Sequence, residues 1–261
     1  MSEILSVAEA RNHKGVRLVL TASAPGPWGE AIKGMLHVKQ IPYVRVRQNA
    51  GTTDPELVEW TGFRNAPQLI NEDEKPMHAW ADLIQFVERR AKFPALIPED
   101  PQLRVHMFGL IHELAGDDGL AWNRRLLLFK PVMDLLKEGP NPAFETVATL
   151  AEHYRYSEEA AARSSEKTAE ILRLLTAQLQ EQQASGSRYM VGDRLSALDI
   201  YWAAFCAIVH PLPDELCPMP DYLRQSYANV DETVLRALDP ALLAHRDFIY
   251  ETHLELPVDL L

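Results

Sequence analysis

Cysteine is scarce in this sequence. Only Cys206 and Cys217 occur among 261 residues, too few for a disulfide framework or a paired-cysteine metal site. Cys206 lies in the apolar run from Tyr201 to Val209, the setting of an inert buried thiol, and Cys217 lies in the proline-rich stretch from Pro211 to Pro220. Nothing marks the chain as secreted, so both are expected to be free. Long hydrophobic runs are missing too. No apolar stretch reaches the roughly 20 residues of a helical membrane span. Met1 to Lys14 is polar and mixed in charge, without the apolar centre of a signal peptide. These absences predict a cytoplasmic protein with no membrane partner. Basic residues are the third shortage: 26 Lys and Arg stand against 37 Asp and Glu, a formal charge of −11. The doublets Arg89-Arg90 and Arg124-Arg125 fall in helical patterns beside acidic or apolar residues, not in a basic stripe. That excludes nucleic acid as a main partner. No glycine-rich phosphate loop or serine-hydrolase elbow occurs, and His112-Glu113 lacks the second histidine of a zinc helix, so no metal is expected.

What is present is a globular composition, 47% apolar, ordered in two parts. Val16 to Thr21 is a β-branched apolar run and reads as a buried strand. Ala22 to Gly29, with two prolines and two glycines, reads as a loop. Glu30 to Lys39 carries an apolar stripe at Ile32, Met35, Leu36 and Val38 and predicts a helix, and Tyr43 to Val46 predicts a second strand. Strand, helix, strand makes a βαβ unit with parallel strands. Asp54-Pro55-Glu56 predicts a helix start with Asp54 as its cap. Gln68 to Asn71, the acidic turn Glu72 to Lys75, a short edge strand at Pro76 to His78 and a helix over Trp80 to Arg90 add a ββα unit. Together these are the thioredoxin arrangement. Strand signals then stop. The expected organisation is an α/β thioredoxin-like domain over 1–92 with a short N-terminal extension, a proline-rich linker over 93–101, and an all-helical domain over 102–261. In the helical part, helices are expected over Gln102 to Ala115, Gly119 to Leu136, Pro142 to Tyr156, Glu158 to Ala184, Ser196 to Ile208 and Pro240 to Leu254.

Three segments carry a family resemblance. Ala66-Pro67-Gln68-Leu69 precedes a strand, and proline is the residue at which a cis peptide costs little. Gly192-Asp193-x-x-Ser196-Ala197-Leu198-Asp199 offers Ser196 as N-cap and Asp199 as its N3 partner, a capping box. Gly26-Pro27-Trp28-Gly29-Glu30 is followed by a helix and then by Gln40-Ile41-Pro42-Tyr43. In order and spacing the chain resembles the glutathione transferases, most closely the omega-like classes, and within them a bacterial subgroup that shares Pro-Gly-Pro-Trp-Gly-Glu and a Gly-Leu-x-His-Glu helix. The resemblance implies a glutathione-transferase fold, a homodimer, and glutathione as co-substrate for attack on a small hydrophobic electrophile. It also implies a cis peptide before Pro67, whose turn aims the Ala66 backbone at the cysteinyl backbone of glutathione.

The sequence departs from the family at two places. The cysteine or serine of the nearest classes is replaced by Gly26, and the tyrosine position of others falls near Ala22. Ser23 is the candidate replacement donor to a thiolate, and backbone N–H groups over Gly26, Pro27, Trp28 and Gly29 are the alternative. The Glu-Ser pair that holds the γ-glutamyl end appears here as Ala79-Trp80, so Trp80 stands at the ligand, with Arg64 and Asn65 as candidate partners of a carboxylate. In the helical domain the glycine-broken segment from His112 to Arg125 is the candidate substrate wall. There His112, Trp122 and Arg125 would bind the electrophile through stacking and charge. The other reading of the same departures is a binding or scaffold protein that keeps the fold without the chemistry.

Overall fold

The computed structural model describes residues 3–50 and 52–261; residues 1, 2 and 51 lie outside the description. The α/β part runs β1 (Ile4–Leu5), α1 (Val7–Asn12), β2 (Val16–Thr21), α2 (Pro27–Val38), β3 (Tyr43–Gln48), α3 (Pro55–Thr61), β4 (Gln68–Asn71) and α4 (Trp80–Arg90). The helical part follows as α5 (Pro101–Ala115), α6 (Leu120–Leu136), α7 (Glu145–His153), α8 (Glu158–Ala184), α9 (Ala197–Phe205), α10 (Asp221–Ala228), α11 (Glu232–Ala237) and α12 (Pro240–His253). No described helix is long and apolar enough to cross a membrane.

The sheet order is β1-β3-β2-β4. β2 and β3 are parallel, as the βαβ reading requires, and β4 runs antiparallel to β2. β2 is buried from Val16 to Leu20 and mostly apolar, Arg17 apart, because it is covered on both sides. Leu18 and Leu20 join Ile32, Leu36, Leu83 and Phe86 of α2 and α4, while Val19 joins Ala10 of α1 and Leu57 of α3. This is the pattern of a central strand. The first of these clusters continues without a break into α5, α8 and α9, so the two domains share one core.

Several expectations need correction. The N-terminal extension is an element pair: β1 adds to β3, and α1 carries a complete Ser6–Glu9 capping box. The edge strand at Pro76 to His78 is reduced to a single bridge, Leu69 to Met77. Asp54 stands at the start of α3 in the left-handed region, φ 38°, and gives no cap hydrogen bond; its Oδ2 accepts from the Asn49 N–H at 3.2 Å. α2 begins at Pro27, three residues before the apolar stripe suggests, because proline at the first helical position needs no N–H partner. α10 and α11 were not foreseen.

Candidate functional site

Strand register brings the family-like segments to one end of the sheet. Val19 of β2 faces Gln68 of β4, so the chain entering β4 lies beside the exit of β2 and the loop leading to α2. That entry is the Ala66-Pro67 peptide, which is cis. Leu69 and Met77 exchange both backbone hydrogen bonds, at 2.8 and 2.9 Å, and this returns the chain so that Ala79 and the first turn of α4 sit next to Pro67. Two helix starts therefore flank the cis turn. Neither has a side-chain cap: Gly26 has no side chain to offer, and neither does Ala79 beyond a methyl. The first-turn N–H groups of both helices are left to solvent or a ligand. Among the described residues the Ala66 N–H and C=O enter no backbone hydrogen bond, and Arg64, half-buried, stands in no ion pair.

Side-chain hydroxyls in this region are engaged elsewhere. Thr21 Oγ1 donates to Gln48 Oε1 at 3.0 Å. Ser23, at φ 54°, donates its N–H and its Oγ to the Leu261 carbonyl at 2.9 and 3.2 Å. The segment after α12 is thus a strap along α2. Leu254 packs at Gly34, Lys33 Nζ donates to the Asp259 carbonyl at 2.8 Å, and Asp259 Oδ2 pairs with Arg45 at 3.0 Å. Nothing local in the sequence signals this strap. The indole of Trp28 is not turned to the cleft. Its Nε1 donates to the Ala115 carbonyl at 2.9 Å and its edge meets Phe205, with ring centres 5.2 Å apart, so it pins α2 to the helical domain and leaves its backbone N–H at the helix start.

The helical domain meets the cleft in two groups. Trp80 lies 6.2 Å from the rings of both Phe108 and His112. His112 folds over Gly116, where an added Cβ would stand 2.7 Å from its ring. Further along, Trp122 packs on Tyr154 with ring centres 4.8 Å apart, and the Arg155 guanidinium lies over the Trp122 ring, 5.8 Å from its centre. Arg125 Nη2 donates to the Tyr227 hydroxyl at 3.3 Å. His153, beside Tyr154, approaches the Asn65 amide at 3.2 Å, which ties α7 to the cis turn. Burial, then Arg64 and Arg155, hold the His153 imidazole below its ordinary range, and burial raises the Tyr154 phenol. The structure therefore joins Asn65 with the Trp122 group and Trp80 with His112, but it shows no contact between His112 and Trp122 or Arg125. Tyr154 and Tyr227 come from the end of α7 and from α10 respectively, far along the chain from α6, so no local pattern signals them.

Cys206 and Cys217 are free and buried, and burial pushes their thiols up to about 12 and about 11. Neither is at the cleft. Among the described residues no group of three or more His, Cys, Asp or Glu is placed to hold a metal ion.

No protein-family model matches the sequence, and no curated protein does. Solved structures do. A glutathione S-transferase from Methylobacterium radiotolerans, in complex with glutathione sulfonate, is 15% identical with a TM-score of 0.61, covering 91% of each chain. A glutathione S-transferase from Methylobacillus flagellatus with glutathione bound is 13% identical, TM-score 0.59, over 90% of this chain and 95% of that one. Glutathione transferase Omega 3C from Trametes versicolor is 16% identical, TM-score 0.58, over 94% and 89%. At these identities what is shared is the fold: a thioredoxin-like domain joined to an all-helical one, as in glutathione transferases. The matches do not single out the omega-like classes or a bacterial subgroup.

Proposed function

We propose that the cleft binds glutathione and presents its thiolate to a small electrophile, which makes the chain a glutathione-transferase-like enzyme. The observation that carries this reading is the pair of uncapped helix starts beside the Ala66-Pro67 turn, where among the described residues Ala66 enters no backbone hydrogen bond and Arg64 no ion pair. Glutathione is a tripeptide with two carboxylates, and helix N-termini and a guanidinium are what carboxylates bind. In this reading Ala66 pairs with the cysteinyl backbone. The first turn of α4, from Trp80, takes one carboxylate, and Arg64 with Asn65 takes the other. The thiolate sits at the start of α2, on the N–H groups of Trp28 and Gly29 beside Gly26 and Pro27, where the helix dipole lowers a thiol pKa. Ser23 plays a smaller part, because its hydroxyl proton is directed to Leu261. The sulfur–carbon bond forms as the leaving group departs with its electron pair, and the thiol proton goes to solvent. The solved relatives of this fold that hold glutathione or its sulfonate support the reading.

Two copies are proposed to pair through the outer face of α5 and α8, where Val105 is 73% exposed and Leu174 44% exposed; sedimentation at micromolar concentration checks this. The second reading is a glutathione-binding protein without turnover. It is favoured by Gly26, which brings no hydroxyl or thiol to the sulfur. Calorimetric titration with glutathione tests both. Binding below about 1 mM, roughly 4 kcal/mol, followed by conjugation of chlorodinitrobenzene supports the enzyme. Binding without turnover of any electrophile supports the second reading, and no binding at several millimolar removes both.

A further inference from the structure

Arg125 is an unusual cation in this molecule. Among the described residues Arg17, Arg125 and Arg224 each have a buried Nε without an acceptor. Two of them meet carbonyls or carboxylates with their remaining nitrogens. Arg17 donates to the carbonyls of Ala10, His13 and Glu72. Arg224 holds Asp214 and the carbonyls of Leu212 and Cys217. Among the described residues Arg125 meets phenols: the Tyr227 hydroxyl at 3.3 Å, the Tyr227 ring at 5.6 Å and the hydroxyl of Tyr154. Two carboxylates beside its neighbours are engaged elsewhere: Asp231, near Arg124, caps α11 and accepts from the Ser165 hydroxyl, and Asp117, near His153, pairs with Arg155. Arg124, the adjacent cation, is buried but satisfied by the carbonyls of Ile208 and Asn229 at 2.9 and 3.2 Å. The buried Nε–H of Arg125 has no acceptor and its guanidinium faces phenols and no anion, a deficit that an arriving anion relieves.

We propose that Arg125, with the hydroxyls of Tyr154 and Tyr227, receives the carboxylate of the electrophilic co-substrate, whose flat unsaturated body lies on Trp122. This deepens the transferase reading and rests on it for the identity of the ligand as a substrate. Trp122 and Arg125 are three apart on α6 and so share a face. Tyr154 touches both, with its ring 4.8 Å from Trp122. Trp122, Arg125 and Tyr154 are each only half-buried, so the group is not sealed. His153, next along the chain from Tyr154, contacts Asn65 beside the cis turn, so the carboxylate end of the substrate lies on the side of the cleft to which the thiol is offered. Two carboxylate oxygens accept from the guanidinium fork and from both phenols, a geometry a neutral amide cannot match.

The test compares dinitrobenzoate with its uncharged carboxamide, each titrated by quenching of tryptophan fluorescence in the full chain. The acid is expected to bind about tenfold to a hundredfold tighter, the range of one charge-assisted contact. That preference is expected to vanish in Arg125→Met, to survive in part in Arg125→Lys, and to fall a few-fold in Tyr154→Phe and Tyr227→Phe. The two tyrosine variants keep the packing and decide the matter if Arg125→Met does not fold. With glutathione present, chlorodinitrobenzoate is expected to exceed its carboxamide in kcat/KM by a similar ratio. Equal affinities for acid and amide, or a preference that persists in Arg125→Met, overturns the proposal. A separate glutathione titration keeps the two ideas apart: acid preference without glutathione binding leaves the anion subsite standing and removes the transferase.

Discussion

The start of α9 and the starts of α2 and α4 solve the same problem in opposite ways. Every helix begins with orphan N–H groups. At α9 the chain spends a buried carboxylate on them. Asp199 accepts from the Ser196 N–H and hydroxyl at 2.8 and 2.7 Å, from the Met190 N–H at 2.8 Å, and faces His245 Nε2 at 2.9 Å. At α2 and α4 the cap positions are Gly26 and Ala79, and nothing is spent. Where the shared core must be fixed, the donors are saturated from within. At the starts of α2 and α4 no side chain caps them, and solvent or a ligand is left as the acceptor.

The sharpest way to break this contrast is Asp199→Ala. It strands several donors in the core and is expected to cost about 3–5 kcal/mol, read from urea denaturation. A loss under about 1 kcal/mol would mean that the α9 start is no more fixed than the others. The thiols probe the same closed side. With burial holding Cys217 at about 11 and Cys206 at about 12, the thiolate fraction at pH 8 is about 10⁻³ or less. A disulfide thiol reagent is expected to label neither cysteine in the native protein and both after unfolding; rapid native labelling contradicts the burial. On the open side, Gly26→Ser is sterically free, since φ is −65° and nothing lies within 4 Å of an added Cβ. It adds a cap and a hydroxyl, and is expected to raise conjugation of chlorodinitrobenzene about tenfold with a gain of a few tenths of a kcal/mol in stability. An unchanged rate would place the thiolate away from the start of α2. The smallest effect belongs to His153. Its folded pKa lies below its unfolded one, so the unfolded chain binds the proton first and stability falls as pH drops below the ordinary histidine range. The urea midpoint of the native protein is expected to decline between pH 7 and pH 5 more than that of His153→Gln.

What was legible in the sequence is what local chemistry determines. The Ser196 to Asp199 box, Pro67 before β4 and the bounds of α4 and α8 all follow from neighbours within a turn. Ser6 and Glu9 carried the same box signature and went unread, because a two-residue strand before it has no period to detect. The candidate site was legible in its backbone and less so in its side chains. Trp28 offers an indole N–H that the Ala115 carbonyl claims from the other domain, and Ser23 offers a hydroxyl that the strap claims. Both partners are set by tertiary packing, which no local window contains. Arg125 was legible as a charge near the cleft, but its lack of an anion is a property of the folded surroundings.

Gly34 has a consequence for how anything enters. A Cβ there would stand 3.0 Å from Ile200 on α9 and from Leu254, so α2 and α9 meet backbone to side chain with no slack between them. A seam that tight, inside a core common to both parts, holds the two halves together as one body. Movement on ligand entry is then expected at the exposed contact between Asn65 and His153, where α7 meets the segment before Pro67. Saturating ligand should leave the radius of gyration unchanged while altering amide exchange in α7 and in the segment before Pro67.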